Sequence, residues 1–134
     1  MKKAAGILVI NNGKCLLCKR NSEGSLPGEW SIPAGKIEPR EGPISAAQRE
    51  FYEETALNIE GQLDFIGVVK RHNREGTKTK GVLYIFKNNS EKKLIPDLNS
   101  AIDGDEHTEC GYFGKNELPL PMGEPFRSLI SKHV

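Results

Sequence analysis

One segment limits the architecture more than any other. From Pro43 to Thr55 the apolar residues Ile44, Ala47 and Phe51 recur at helical spacing among strong helix formers, and Pro43 sits where a first helical turn tolerates it. Around this one mid-chain helix the pattern is that of strands. Lys3 to Ile10 is apolar and β-branched, Asn12-Gly13 is a turn signal, and Lys14 to Lys19 resumes the apolar run, which predicts a β-hairpin. Trp30 to Pro33 is a short extended piece ending at Ala34-Gly35, where Pro33 excludes a helix. Leu63 to Lys70 and Gly81 to Lys87 are strand-like and can pair as a second hairpin through the basic stretch around Arg74-Glu75-Gly76. Asn21 to Gly28 and Asn88 to Asp105 read as loops, Thr108 to Phe113 as a short strand, and Glu124 to His133 as a closing helix carrying Phe126, Leu129 and Ile130. The sum is a mixed sheet with one helix inserted and one terminal, an α+β or α/β/α layering.

A length of 134 residues favours one domain, residues 1–134, with a single core. With 19 basic against 18 acidic residues and a net charge of +1, no specific nucleic acid and no membrane partner is expected, so anion binding must be local. No apolar run approaches the roughly 20 residues that cross a bilayer, and the opening Met1-Lys2-Lys3-Ala4-Ala5-Gly6 leads into a stretch too brief for a secretory signal. The expected compartment is the cytoplasm. An odd set of cysteines, Cys15, Cys18 and Cys110, argues for reduced thiols over a disulfide framework.

On the predicted helix, Glu50, Glu53 and Glu54 project within about a third of the circumference. Like charges so placed oppose the helix by a few tenths of a kcal/mol per pair, about 0.2–0.5, with only Arg49 nearby to compensate. A hard divalent cation removes that repulsion, because Mg²⁺ takes carboxylate oxygens together with water and phosphate oxygens. Surface helices are often rich in glutamate, and a Glu-Glu pair alone would be a solvated face. The wider constellation decides otherwise: Gly35, then Glu41, then Arg49-Glu50-Phe51, then Glu53-Glu54 and Ala56-Leu57. The six charged or glycine identities among them arise at fixed offsets by chance with a probability on the order of 10⁻⁷ per starting position at ordinary residue frequencies.

The segment Gly35 to Leu57 resembles the Nudix box, the signature of the Nudix hydrolases. The flanks resemble the MutT-like branch: Lys19-Arg20 closing the second strand, Gly28-Glu29-Trp30-Ser31-Ile32-Pro33 before the box, and Leu118-Pro119 to Pro125 before the last helix. The resemblance implies a Nudix fold, an α/β/α sandwich around a mixed β-sheet with the box as loop, helix and loop. It implies Mg²⁺, with Mn²⁺ as the alternative, ligated by Glu50, Glu53 and Glu54, with backbone help near Ala34 and Gly35. Arg49 orients a glutamate, Glu41 returns to the same site, and Arg20, Lys19 and Lys36 meet the substrate. The general base is Glu53 or Glu54, then Glu106 or Glu109. The reaction implied is attack of water on one phosphorus while the cation neutralises charge growing on the phosphate oxygens.

Two positions depart from the pattern: Ala56 stands at the last glycine of the box and Ala34 in the Gly-Gly pair before Lys36. A glycine at the former site would adopt positive φ at the helix end, where alanine costs about 1 kcal/mol. Cys15, Cys18, His107 and Cys110 imitate a zinc set, but residues three apart on a strand face opposite sides and no glycine turn lies between Cys15 and Cys18. Lys70, Arg71, His72, Arg74, Lys78 and Lys80 are read as a solvated hairpin tip, and Trp30 and Tyr112 as core-edge aromatics.

Substrate signals lie outside the box. No proline stands about 15 residues and no tyrosine about 17 residues after Leu57, which disfavours ADP-ribose and dinucleoside polyphosphates, since such loop residues set the choice. In Pro121-Met122-Gly123-Glu124-Pro125, Gly123 stands where a MutT-like asparagine reads the base, which removes discrimination for an oxidised guanine. The expected partner is therefore a small nucleotide, a nucleoside triphosphate or a nucleoside diphosphate derivative. ADP-ribose, a nucleotide sugar or a dinucleoside polyphosphate is the alternative, and a silent nucleotide-sensing domain the third reading. Monomer and homodimer both stay open.

Overall fold

The computed structural model describes residues 1–21, 28–72 and 77–134. Strands β1 (Lys2–Asn11), β2 (Lys14–Arg20), β3 (Trp30–Ser31) and β4 (Ala34–Lys36) precede helix α1 (Pro43–Thr55). After it come β5 (Asp64–His72), β6 (Thr79–Asn89), a 3₁₀ turn at Gly104–Glu106, β7 (His107–Gly114) and helix α2 (Phe126–His133). The central strand order is β3-β2-β1-β6-β5, with β4 on β1 and β7 on β2 in one sheet. The expected α/β/α sandwich is present. Strand alternation sends Ala5, Ile7 and Val9 toward α1, where they meet Ala46, Ala47 and Phe51. It sends Ala4 and Leu8 the other way, into a core with Phe126 and Ile130 of α2.

The N-terminal hairpin is made and then undone. Asn12 and Gly13 turn with φ of 50° and 75°, both positive as a tight hairpin turn requires. Yet β1 and β2 stay in register only at Ile10↔Cys15 and Asn11↔Lys14. Beyond that they diverge, and the segment from Trp30 to Lys36 enters the gap. There β3 pairs with β2 through Cys18↔Ser31 and Lys19↔Trp30, while β4 pairs with β1 through Ala4↔Lys36, Ala5↔Gly35 and Gly6↔Ala34. Pro33, with no N–H to offer a ladder, stands between them. On its far edge β1 pairs in parallel with β6 from Lys2↔Gly81 to Ile10↔Asn89. The expected β5–β6 pairing is present and antiparallel; its tip at Arg74-Glu75-Gly76, and most of the Asn21 to Gly28 loop, lie outside the described residues.

One expectation fails. Cys18 and Cys110 are not reduced thiols but a disulfide joining directly opposed positions of β2 and β7. The two are 92 residues apart in sequence, so nothing local announced that their strands are neighbours. The thiol argument for a reducing compartment therefore lapses. Cys15 stays free and buried, and burial pushes its thiol up to about 12, which makes it a small apolar core residue and not a nucleophile. Among the described residues no helix is long and apolar enough to cross a membrane.

Helix α1 spans the residues its periodicity predicts, and α2 begins two residues later than expected. Ala56 terminates α1 with φ 65° and ψ 18°, donating its N–H to Tyr52 O. This is the left-handed position that the box reserves for glycine, held here by a residue with a Cβ. Ala56→Gly should raise stability by about 1 kcal/mol, measured by urea denaturation. An unchanged or lower midpoint would contradict a strained Ala56.

Candidate active site

The box residues meet through Arg49. Its Nε and Nη2 donate to the two oxygens of Glu41, at 2.8 and 2.9 Å. Nη1 donates to Glu50 Oε1 at 2.9 Å and to Glu53 Oε2 at 3.2 Å, and Nη2 also donates to Lys36 O at 2.9 Å. One guanidinium thus ties the loop before α1 to the helix face. Glu41 Oε1 accepts the Glu38 N–H as well, at 2.9 Å. The Arg49 fork first, and that backbone bond second, hold Glu41 down to about 2.

Glu54 faces a different neighbour. It is 1% exposed and its Oε1 lies 2.6 Å from Nε2 of His107, itself buried at the start of β7. Burial first, then the charges of Glu106 and Glu50, push Glu54 up to about 10. Burial, with Arg20 adding to it, pulls His107 down to about 4. As the chain stands both members of the pair favour their neutral forms; lack of water is the leading cause for each, with neighbouring carboxylates adding to it for Glu54 and Arg20 for His107. Glu106 is raised as well, by burial and then by Asp103 and Glu50, with Arg20 opposing. Glu50, Glu54, Glu106 and Arg20 therefore share one electrostatic neighbourhood.

The loop side is made of backbone. A Cβ on Gly35 would lie 2.1 Å from the Glu50 carboxylate carbon, so that carboxylate rests against a position only glycine leaves open. Ala34 pairs with Gly6 of β1, and Lys36 is exposed while its carbonyl serves Arg49. Lys19 and Arg20 are half-buried at the end of β2, and Arg20 exchanges backbone hydrogen bonds with Gly28 and Glu29. Glu109 lies opposite Lys19 and is exposed. Trp30 packs edge-on to Phe113 at 5.1 Å in the core, and Tyr112 donates its hydroxyl to Leu94 O. Gly123 donates its N–H to Glu29 Oε1 at 2.7 Å, so this segment docks on the chain just before the box.

The expected set is thus split: Glu41, Glu50 and Glu53 gather on Arg49, and Glu54 turns inward. Among the described residues no three His, Cys, Asp or Glu side chains enclose a metal site by themselves. An all-oxygen, partly built set still fits Mg²⁺, which is held by one or two carboxylates with water and substrate oxygens completing its shell. Glu54 Oε2 fits the same demand: it is buried and has no hydrogen-bond partner among the described residues, with the Ala34 backbone and the Glu50 carboxylate close by the same carboxyl. His107 was the residue that sequence reasoning placed only in a zinc decoy; its partner is 53 residues away, and no local pattern signals it.

A profile of the NUDIX domain matches residues 1–134. The chain belongs to the Nudix family. It is similar to the nucleoside triphosphatase NudI of Enterobacter sp. (strain 638), with 41% identity over 54 residues, 40% of this chain and 38% of that protein. The matched stretch thus spans well under half of that relative. Similarity to the CTP pyrophosphohydrolase of Escherichia coli (strain K12) is lower, 26% over 137 residues, but covers 96% of this chain and 93% of that one. A MutT Nudix hydrolase structure from Burkholderia pseudomallei superposes with a TM-score of 0.82 over 99% of this chain and 98% of that one, at 22% identity, and so shares the Nudix fold.

Because Glu41 is held at about 2 in the folded chain against 4.5 for the free side chain, its contribution to stability is complete above 4.5 and is lost as pH falls toward about 2. Thermal melts of Glu41→Gln and wild type should therefore differ most near about pH 5 and converge near about pH 2. A gap of constant size across that range would refute the coupling.

Proposed function

We propose that this Nudix chain is a Mg²⁺-dependent hydrolase of a diphosphate linkage in a nucleotide, with a nucleoside triphosphate as the favoured substrate. The observation that carries the reading is the Glu54 Oε2 atom, buried without a hydrogen-bond partner among the described residues on a helix whose other glutamates gather on Arg49. Such an atom costs on the order of 1–3 kcal/mol unless something binds it. The preference for a triphosphate is supported by the near full-length similarity to a CTP pyrophosphohydrolase.

Glu50, Glu53 and Glu54 would hold the cation. It supplies neutralisation of the charge that develops on the phosphate oxygens and makes water more acidic. Arg49 fixes the rotamers of Glu50 and Glu53 while Glu41 fixes Arg49, so the carboxylates do not have to be ordered when substrate arrives. Lys19, Arg20 and Lys36 offer cations for the phosphates, and the charge of Arg20 acts on both Glu106 and His107. Glu53, with 26% of its side chain exposed, is a more accessible proton acceptor than Glu54, whose environment is closed. Glu106 is the second candidate.

A panel of nucleoside triphosphates with Mg²⁺ tests the substrate class: turnover of at least one is expected, and turnover of none rejects it. The double change Glu53→Gln with Glu54→Gln should lower kcat by about 10²-fold or more, with the fold intact by circular dichroism. Unchanged turnover would remove these residues from the mechanism. Gly35→Ala makes a separate prediction. The atom it meets is the far end of a flexible side chain, so the melting temperature should stay near wild type while the displaced Glu50 lowers kcat by about 10²-fold.

A further inference from the structure

We propose that His107 is the positioning residue for Glu54, gripping one carboxylate oxygen so that the other is the oxygen presented to a cation. The inference rests on the reading of Glu54 as a cation ligand. His107 touches neither substrate nor the reacting atoms in that reading; it acts through Glu54.

Three features of the chain bring His107 to this place. The carbonyls at the end of α1 are taken up by the segment that follows β6: Asp97 N–H donates to Thr55 O at 2.9 Å and Asp103 N–H to Glu53 O at 2.7 Å. That sews the approach to β7 onto the C-terminus of α1. The chain then turns at Gly104, where a Cβ would come within 1.9 Å of Leu98 O, so only glycine fits the crossing. Asn21 fastens the far side, its N–H donating to Glu106 O and its side-chain amide to Asp105 O.

The third feature is a bulge. Along β7, Cys110 and Tyr112 face the α1 layer while Phe113 faces the α2 layer. Regular alternation from Cys110 would turn His107 toward α2, away from Glu54. The register with β2 shifts between Lys19 and Arg20, so that Lys19 opposes Glu109 and Arg20 opposes His107. A bulge of this kind re-aims a side chain. Here it swings His107 to the α1 side, where its Nε2 meets Glu54 Oε1 at 2.6 Å with 3% and 1% of the two side chains exposed.

A glutamate free at both oxygens can rotate about its last bond and offer either one. Held at Oε1, Glu54 has only Oε2 to give, and Oε2 is the atom left without a hydrogen-bond partner among the described residues. Partners of this type, one bond behind a ligand, commonly change metal affinity by about 10–100-fold when removed.

The test is Mn²⁺ binding by calorimetry in the absence of nucleotide, on wild type, His107→Leu and His107→Gln, with thermal melts of all three. His107→Leu should lose about 10–100-fold in Mn²⁺ affinity, and His107→Gln, which keeps an N–H, should recover most of it, whatever the order of the melting temperatures. Wild-type affinity in His107→Leu, or equal loss in both variants, overturns the proposal and leaves the hydrolase reading standing. A wild type that takes up no Mn²⁺ overturns both. Should the leucine variant not fold, the ¹⁵N resonances of the wild type decide: on addition of Mg²⁺ the His107 Nε2 signal should move while that of His133, on α2, stays. An unmoved His107 signal sinks the proposal.

Discussion

The site depends on the way one guanidinium is saturated. All five N–H groups of Arg49 have acceptors, divided among the Glu41 carboxylate, Glu50, Glu53 and the carbonyl of Lys36. Glu41 belongs to the loop, Lys36 to the end of β4, and Glu50 and Glu53 to the helix, so the bond network fixes their relative position. It also settles an electrostatic problem. Three carboxylates crowded on one helical turn and its approach would repel one another, and a single planar cation with a fixed fork of donors answers all three at once. A lysine could match the charge but not the geometry.

Glu54 is the residue left out of that settlement. It points into the protein, where burial, then Glu106 and Glu50, raise it, the Ala34 backbone only partly opposes them, and His107 holds one oxygen. The two halves of the carboxylate cluster therefore differ in kind. Around Arg49 three carboxylates share one guanidinium and stay partly exposed. Glu54 is shut away from solvent against His107, and the net negative charge of the whole cluster is what a divalent cation would offset. The backbone of Gly35 closes the space between them, its missing side chain filled by the Glu50 carboxylate.

Features written in short windows were legible before any coordinates. The periodicity of Ile44, Ala47 and Phe51 with Pro43 at the first turn marked α1 from end to end, and with it the helix that carries Glu50, Glu53 and Glu54. Even the left-handed conformation of Ala56 followed from its place at the helix terminus. What was not legible was adjacency between distant segments. Asn12-Gly13 correctly marked a turn, but the parting of β1 and β2 depends on Trp30 to Lys36 arriving between them. The disulfide required knowing that β2 lies against β7, and His107 required in addition a bulge that reverses its facing. Residue type and local spacing carry no record of either.

The parallel pairing of β1 with β6 has a consequence for the order in which the molecule can be assembled. Lys2 has to find Gly81 and Ile10 has to find Asn89, so the middle of the sheet cannot close until most of the chain exists. Contacts this distant in sequence slow folding, because the loop entropy must be surrendered before any pairing rewards it. On a ribosome, α1 and its acidic turn would emerge well before the strand that completes their platform. For that interval every acceptor that Arg49 uses in the finished fold is already present, the farthest being Lys36, 13 residues away in sequence.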